Sequence, residues 1–94
     1  MEITQEFLER QGYKCVRQMK DRRWIGLDCT FIYTTGLVVG LNEFGYDYRY
    51  CYEKYRDALI AVSQYEGEGD PIGPWIKRKG EGGEKMGPGA KGGI

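Results

Sequence analysis

Histidine is absent from this 94-residue chain, so the side chain that most often serves as general base and as transition-metal ligand is missing. Without it, neither a Ser-His-Asp nor a Cys-His catalytic site can be built. The cysteines, Cys15, Cys29 and Cys51, lack the Cys-x-x-Cys spacing of zinc and redox sites. Carboxylates are present, but their spacing selects no pair for acid-base hydrolysis. The sequence therefore predicts no catalytic residue, no metal site and no cofactor, and we expect a protein that is not an enzyme.

Long apolar runs are also absent, since no stretch approaches the roughly 20 residues of a membrane span. The chain opens with Glu2, Gln5 and Glu6, where a secretory signal would need a basic start and an apolar segment. An odd number of cysteines is typical of reduced thiols rather than of a disulfide framework. We therefore expect a cytoplasmic protein with no membrane partner.

The chain has no net charge, yet its charges are unevenly distributed. Residues 1–76 carry nine Lys/Arg against twelve Asp/Glu, whereas residues 77–94 carry five against two. The last stretch is rich in Gly and Lys and poor in large side chains, so it cannot bury a core. The sequence predicts a single α+β domain over residues 1–79 and a disordered Gly/Lys-rich tail over residues 80–94.

Tyrosine is abundant, and four tyrosines recur at every second position: Tyr46, Tyr48, Tyr50 and Tyr52. Because side chains alternate along a strand, this spacing predicts a strand with all four rings on one face of a sheet. Such a stripe is either part of the core or a contact surface. We expect Tyr50 and Tyr52, next to the following helix, to be buried, and Tyr46 and Tyr48 to be partly exposed.

Similar alternation elsewhere predicts an antiparallel meander of three to four strands. The strands are expected at residues 13–19, 24–34, 37–41 and 46–52. A turn at residues 34–36 should separate the second from the third. The Pro/Gly-rich residues 67–74 should be irregular, and Trp75 should dock back on the core.

Two helices complete the predicted α+β fold. Thr4 is a suitable N-cap for a short N-terminal helix over residues 3–11, and Gly12 suits its C′ position. A longer helix over residues 54–65 has apolar residues at helical spacing and should pack on the sheet. The core between that helix and the sheet is expected to contain Leu27, Phe31, Leu59, Val62 and one of the two tryptophans.

Two short basic clusters lie beside tryptophans, one at residues 20–24 and the other at residues 75–79. Basic and aromatic side chains together are typical of surfaces that bind phosphates and exposed bases. Solvated charge is the alternative interpretation. The candidate nucleic-acid residues are Arg22, Arg23, Trp24, Lys77, Arg78 and Lys79.

Two segments resemble known families. The order of Arg22-Arg-Trp-Ile-Gly26, the Thr35-Gly36 turn and Asp57-Ala58 in the second helix is similar to that of AP2-type DNA-binding domains, which implies a three-stranded sheet that reads DNA. The segment Gly69-Asp-Pro-Ile-Gly-Pro-Trp-Ile-Lys77 resembles short phage and prophage proteins, which implies a small accessory protein.

Two functions follow as hypotheses. The first is a non-enzymatic accessory protein, of phage or prophage type, that contacts another protein or a second copy of itself as a homodimer. Its candidate contact residues are Tyr46, Tyr48 and Trp75, because Tyr and Trp supply large rigid contact area. The second is a weak nucleic-acid-binding protein that uses the basic clusters and the basic tail.

Overall fold

A computed structural model of the chain describes residues 2–90 and has an α+β fold, with one six-stranded antiparallel sheet and two helices. The spatial order of the strands follows their order in the chain. The strands are β1 (Lys14–Gln18), β2 (Trp24–Asp28), β3 (Thr35–Val39), β4 (Tyr48–Tyr52), β5 (Trp75–Gly80) and β6 (Lys85–Met86). The predicted antiparallel meander is confirmed, but three to four strands was an undercount, because β5 and β6 add to the sheet beyond the second helix.

Both helices begin and end close to the predicted positions. Helix α1 (Gln5–Arg10) starts after Thr4, whose hydroxyl accepts a hydrogen bond from the Phe7 N–H at 3.1 Å. Gly12 follows it with φ 101°, as expected of a C′ glycine. Helix α2 (Tyr55–Gln64) joins β4 to β5. Neither of the helices in the described residues is long and apolar enough to cross a membrane.

Each face of the sheet has its own apolar cluster. On one face, α2 covers the larger cluster, which comprises Met19, Ile25, Leu27, Leu37, Val39, Tyr50, Tyr52, Ala58, Ala61, Val62, Tyr65 and Trp75. On the other, α1 covers a smaller cluster of Leu8, Val16, Val38 and Leu41. A central strand with both faces covered needs apolar residues at successive positions, which explains Leu37-Val38-Val39.

The predicted core under α2 was partly wrong. Leu27, Val62 and Trp75 are buried there, but Leu59 is 40% exposed on the flank of the helix. The small Ala58 and Ala61 side chains let α2 lie close to the sheet, and they direct Leu59 to one side. Truncation of Leu59 to alanine should therefore cost less than the loss of about 2 to 5 kcal/mol that is typical of buried leucines.

The predicted long strand over residues 24–34 ends early, at Asp28. The Asp28 carboxylate accepts hydrogen bonds from the Thr30 N–H at 3.0 Å and the Thr30 hydroxyl at 2.6 Å, and this local turn leads the chain out of the sheet. Residues 29–34 form a loop, and Gly36 lies in β3 rather than in a turn. Phe31 folds over Gly36 on the face opposite α2, so it does not belong to the predicted core.

The chain after residue 79, where the sequence predicted a disordered tail, continues the sheet in the structure. Strand β5 runs to Gly80, and the chain then turns back to form β6. The Arg78 guanidinium donates hydrogen bonds to the backbone oxygens of Glu81 and Gly83, each at 2.6 Å, which hold this turn. The Gly87 N–H donates to the Ile76 carbonyl at 2.8 Å. Residues 91–94, the end of the predicted tail, lie outside the described residues.

Candidate interaction surfaces

The tyrosine stripe divides between the two faces of the sheet. Tyr50 and Tyr52 are 2% and 0% exposed on the α2 face, and Tyr48 is half-buried beside them. Tyr46 lies before β4 and packs against the α1 cluster on the other face. The predicted burial pattern is confirmed, but the prediction that all four rings share one face was wrong. Strict alternation holds only within a strand, and β4 begins at Tyr48.

Tyr50 is the centre of an aromatic cluster inside the core. Its ring lies edge-on to those of Tyr48, Tyr65 and Trp75, with centroids 5.9, 6.2 and 4.9 Å away. Its hydroxyl donates a hydrogen bond to the Asp70 carboxylate at 2.9 Å. Burial raises the pKa of Tyr50 above its ordinary value. Tyr50 therefore stabilises the fold and offers little surface to a partner.

Trp75, which the sequence predicted both to dock on the core and to serve as a contact residue, is buried, with 4% of its surface exposed. Its ring packs on Tyr50, and Gly87 lies so close to it that a Cβ at that position would collide with the indole. The predicted contact residues thus occupy separate environments: Trp75 is in the core, Tyr48 borders it, and Tyr46 is on the opposite face. They do not form one surface.

A polar pocket of about 400 Å³ lies beside Tyr48, between the loop after α2 and the turn before β6. Each of its charged side chains has a partner in the fold. The Lys85 ammonium contacts the Asp70 carboxylate at 2.8 Å, and this hydrogen bond lowers the pKa of Asp70. Arg78 stacks 4.2 Å from the Tyr48 ring. These contacts link β6 and the turn before it to the core.

The structure separates the six candidate nucleic-acid residues. Arg23 and Arg78 flank Tyr48 on the α2 face, and the Arg23 guanidinium donates a hydrogen bond to the Tyr48 hydroxyl at 3.1 Å. Trp24 is half-buried against the α1 cluster. Arg22 is exposed in the turn before β2, with φ 74°.

Lys77 and Lys79 lie on the other face, where they meet a basic residue that the sequence analysis did not select. In the β4–β5 register Lys79 is opposite Arg49, so their side chains share one face. The Arg49 guanidinium lies 4.9 Å from the Phe31 ring and donates to the Tyr46 hydroxyl at 3.0 Å. Lys77 pairs with Glu84 at 2.9 Å. We call Arg49, Lys77 and Lys79 the basic face; strand alternation in residues 48–52 was the signal that could have found Arg49.

Three large apolar side chains are almost fully exposed at the ends of the sheet. Ile32 and Tyr33, in the loop after β2, are 87% and 86% exposed, and Phe44, in the loop after β3, is 92% exposed. Ile32 and Tyr33 were not predicted as exposed, because the alternation of residues 24–34 placed them in a strand. The Asp28-x-Thr30 pattern, which is typical of a local turn, was the signal for the loop.

No protein-family model, curated protein or solved structure matches this chain. Within residues 2–90, no group of three or more cysteine and carboxylate side chains is arranged to hold a metal ion.

Proposed function

We propose that this protein is a small non-enzymatic accessory protein that acts by contact with another protein or with a second copy of itself. The observation that carries this proposal is the exposure of Ile32 and Tyr33, here called the apolar tip. The two residues are neighbours in one loop, and more than four-fifths of each side chain is exposed. Single exposed apolar residues are common on protein surfaces, but neighbouring ones form the apolar patches that protein contacts use. Tyrosine is also among the residues enriched at interfaces.

The apolar tip stands on an ordered base. Asp28 accepts two hydrogen bonds from Thr30, and the next residue, Phe31, packs over Gly36 and under the Arg49 guanidinium. A loop held in this way loses less conformational entropy on binding than a free one. The ordered residues before the apolar tip therefore favour it as a contact surface.

The resemblance of residues 69–77 to phage and prophage proteins supports an origin of that kind. In the fold this segment leads into β5, the Ile72 carbonyl accepts a hydrogen bond from the Tyr52 hydroxyl at 2.6 Å, and Trp75 enters the core. Trp75 is thus a residue of this segment that the fold itself requires. The resemblance of this segment therefore supports only the proposed kind of protein. The apolar tip is proposed as the surface that contacts the partner.

The test compares wild type with the double variant Ile32→Ser/Tyr33→Ser and with Phe44→Ser as a matched control. Because these side chains are exposed, we expect each variant to keep its unfolding free energy within about 0.5 kcal/mol. Photo-crosslinking capture in the source cells and light scattering of the purified protein report a heterologous partner and a homodimer, respectively. We expect one of these complexes to be lost in the double variant and retained in Phe44→Ser. Equal complex formation by all three proteins, or none by wild type, contradicts the proposal.

A weak nucleic-acid-binding protein is the second candidate, and the basic face favours it. Arg49 and Lys79 have no carboxylate within ion-pair distance among the described residues, and Phe31 and Tyr46 supply aromatic rings beside Arg49. Cations beside aromatic rings on an open sheet are what single-stranded nucleic acid binds.

For this candidate we expect Arg49→Gln/Lys79→Gln to weaken binding to a fluorescent single-stranded oligonucleotide. Loss of two phosphate contacts should reduce the slope of log K against log salt by about 1.4. The control Lys54→Gln/Arg56→Gln removes the same charge at α2 and should keep most of the slope. Circular dichroism checks that each variant folds. Equal slopes for both variants, or no binding by wild type at low salt, exclude the basic face as a nucleic-acid site.

A further inference from the structure

A second apolar surface lies at the opposite side of the sheet from β6, where β1 is the outermost strand. Between β1 and α2 runs a groove of about 400 Å³, here called the β1–α2 groove. Its lining is mostly aliphatic and comprises Cys15, Val16, Arg17, Leu59, Ile60, Val62 and Ser63. Leu59 and Ile60 are each 40% exposed on its wall, although the core side of the same helix is fully buried. The apolar face of α2 therefore extends beyond the edge of the sheet that the helix covers.

Hydrogen bonds and an ion pair fix the positions of the two walls of the groove relative to each other. The Arg17 Nε donates a hydrogen bond to the Val62 carbonyl at 2.8 Å, and another Arg17 nitrogen donates to the Tyr65 carbonyl. The same guanidinium pairs with Glu66 at 3.2 Å. These bonds tie β1 to the C-terminal end of α2, so the groove exists before any partner binds. They also balance the charge of Arg17.

Two further cations border the groove and are not balanced in this way. Arg56 precedes Ile60 by one helical turn and Ser63 by two, so it shares their face of α2. Lys14 is opposite Leu27 in the β1–β2 register, so its side chain lies on the face of the sheet that α2 covers. Neither has a carboxylate within ion-pair distance among the residues that the structure describes. The rim of the groove is consequently positive around an apolar floor.

We propose that the β1–α2 groove binds an acidic segment of another protein, with a large apolar side chain seated against Leu59 and Ile60 and carboxylates directed at Lys14 and Arg56. This goes beyond the proposed function, because it assigns a second surface and the chemistry of its partner. Charge complementarity favours the acidic partner: a two-fold dimer formed groove to groove would bring Lys14 and Arg56 of both copies together, and a basic segment would be repelled.

The segment binds through its side chains rather than as an added strand. The register of β1 with β2 shifts between Lys14 and Arg17, and Cys15 has φ 54°. A bulge of this kind interrupts the regular row of backbone groups that an incoming strand would need. The apolar wall of α2 and the positive rim are therefore the features that recognise the partner.

The test is selection of a yeast-displayed library of random linear peptides on the purified full chain. We expect enriched peptides to combine Asp or Glu with Leu, Ile, Phe or Trp, and to bind Leu59→Ser/Ile60→Ser at least about tenfold more weakly than wild type. Lys14→Gln/Arg56→Gln should weaken binding and reduce its salt dependence. The charge-matched control Arg10→Gln/Arg22→Gln and the control Phe44→Ser should bind as wild type does.

Three results overturn the proposal: no enrichment, enrichment of basic or uncharged peptides, and enriched peptides that bind Leu59→Ser/Ile60→Ser normally. Dimerisation of wild type that Leu59→Ser/Ile60→Ser abolishes also overturns it, because a second copy then fills the groove. The variant Ile32→Ser/Tyr33→Ser separates this proposal from the proposed function. It should retain peptide binding at the groove, whether or not the apolar tip proves to contact a partner.

Discussion

Replacing Tyr50 with alanine should lower the unfolding free energy by about 3 to 5 kcal/mol, the range for truncating a buried aromatic residue. The ring is 2% exposed and packs edge-on against three other aromatic rings, so its loss leaves a cavity that the surrounding strands cannot close. A small domain has a total stability of about 5 to 15 kcal/mol, so the variant should be close to unfolding. Urea unfolding followed by circular dichroism measures the loss.

Tyr50→Phe is the matched control, because it keeps the ring and removes only the hydroxyl that donates to Asp70. We expect that change to cost about 1 kcal/mol. Tyr46→Ala, which removes a half-buried ring on the other face, should cost less than Tyr50→Ala. Equal and small losses for Tyr46→Ala and Tyr50→Ala would refute the core role of Tyr50 and favour an exposed tyrosine stripe.

Trp75→Ala should cost a similar amount, about 3 to 5 kcal/mol, because the indole is buried between Tyr50 and the segment after β6. This change should also loosen β6. The Gly87 and Gly89 N–H groups donate to the backbone carbonyls of Ile76 and Trp75, so their protection depends on the placement of β5. Hydrogen exchange should show the amides of residues 85–89 losing protection more than those of β3.

Trp24→Ala serves as the comparison for Trp75→Ala, since Trp24 is a half-buried tryptophan of the α1 cluster. Its replacement should be less destabilising and should leave the exchange of residues 85–89 nearly unchanged. If Trp75→Ala instead folds with normal stability and loses binding to a partner, Trp75 is the contact residue that the sequence first indicated.

Short-range patterns predicted the elements that depend on local chemistry. Thr4 and Gly12 delimit α1 because a hydroxyl cap and a left-handed residue act within one turn of the helix. Period two in residues 48–52 located β4, and helical period located α2. The long strand over residues 24–34 was wrong, since alternation also continues through the loop that Asp28 and Thr30 initiate.

The interaction surfaces were less predictable, because they depend on which residues are left over once the core is filled. Periodicity assigned Leu59 to the core, but the small Ala58 and Ala61 take the sheet-facing positions of α2. The adjacent Lys77 and Arg78 looked like one cluster, yet successive strand residues point to opposite faces. Arg49 joins Lys79 only through the pairing of β4 with β5, which no local pattern specifies.

By itself the sequence determined the α+β class, the order of α1, the meander and α2, and the burial of Tyr50 and Tyr52, because periodicity, caps and turns act over a few residues. Only the tertiary structure decided that residues 85–86 form a sixth strand, that Leu59 lies outside the core, and that Ile32 and Tyr33 are exposed. These outcomes depend on contacts between residues distant in the chain. Such contacts depend on the space that other side chains leave, which alternation along one segment does not encode.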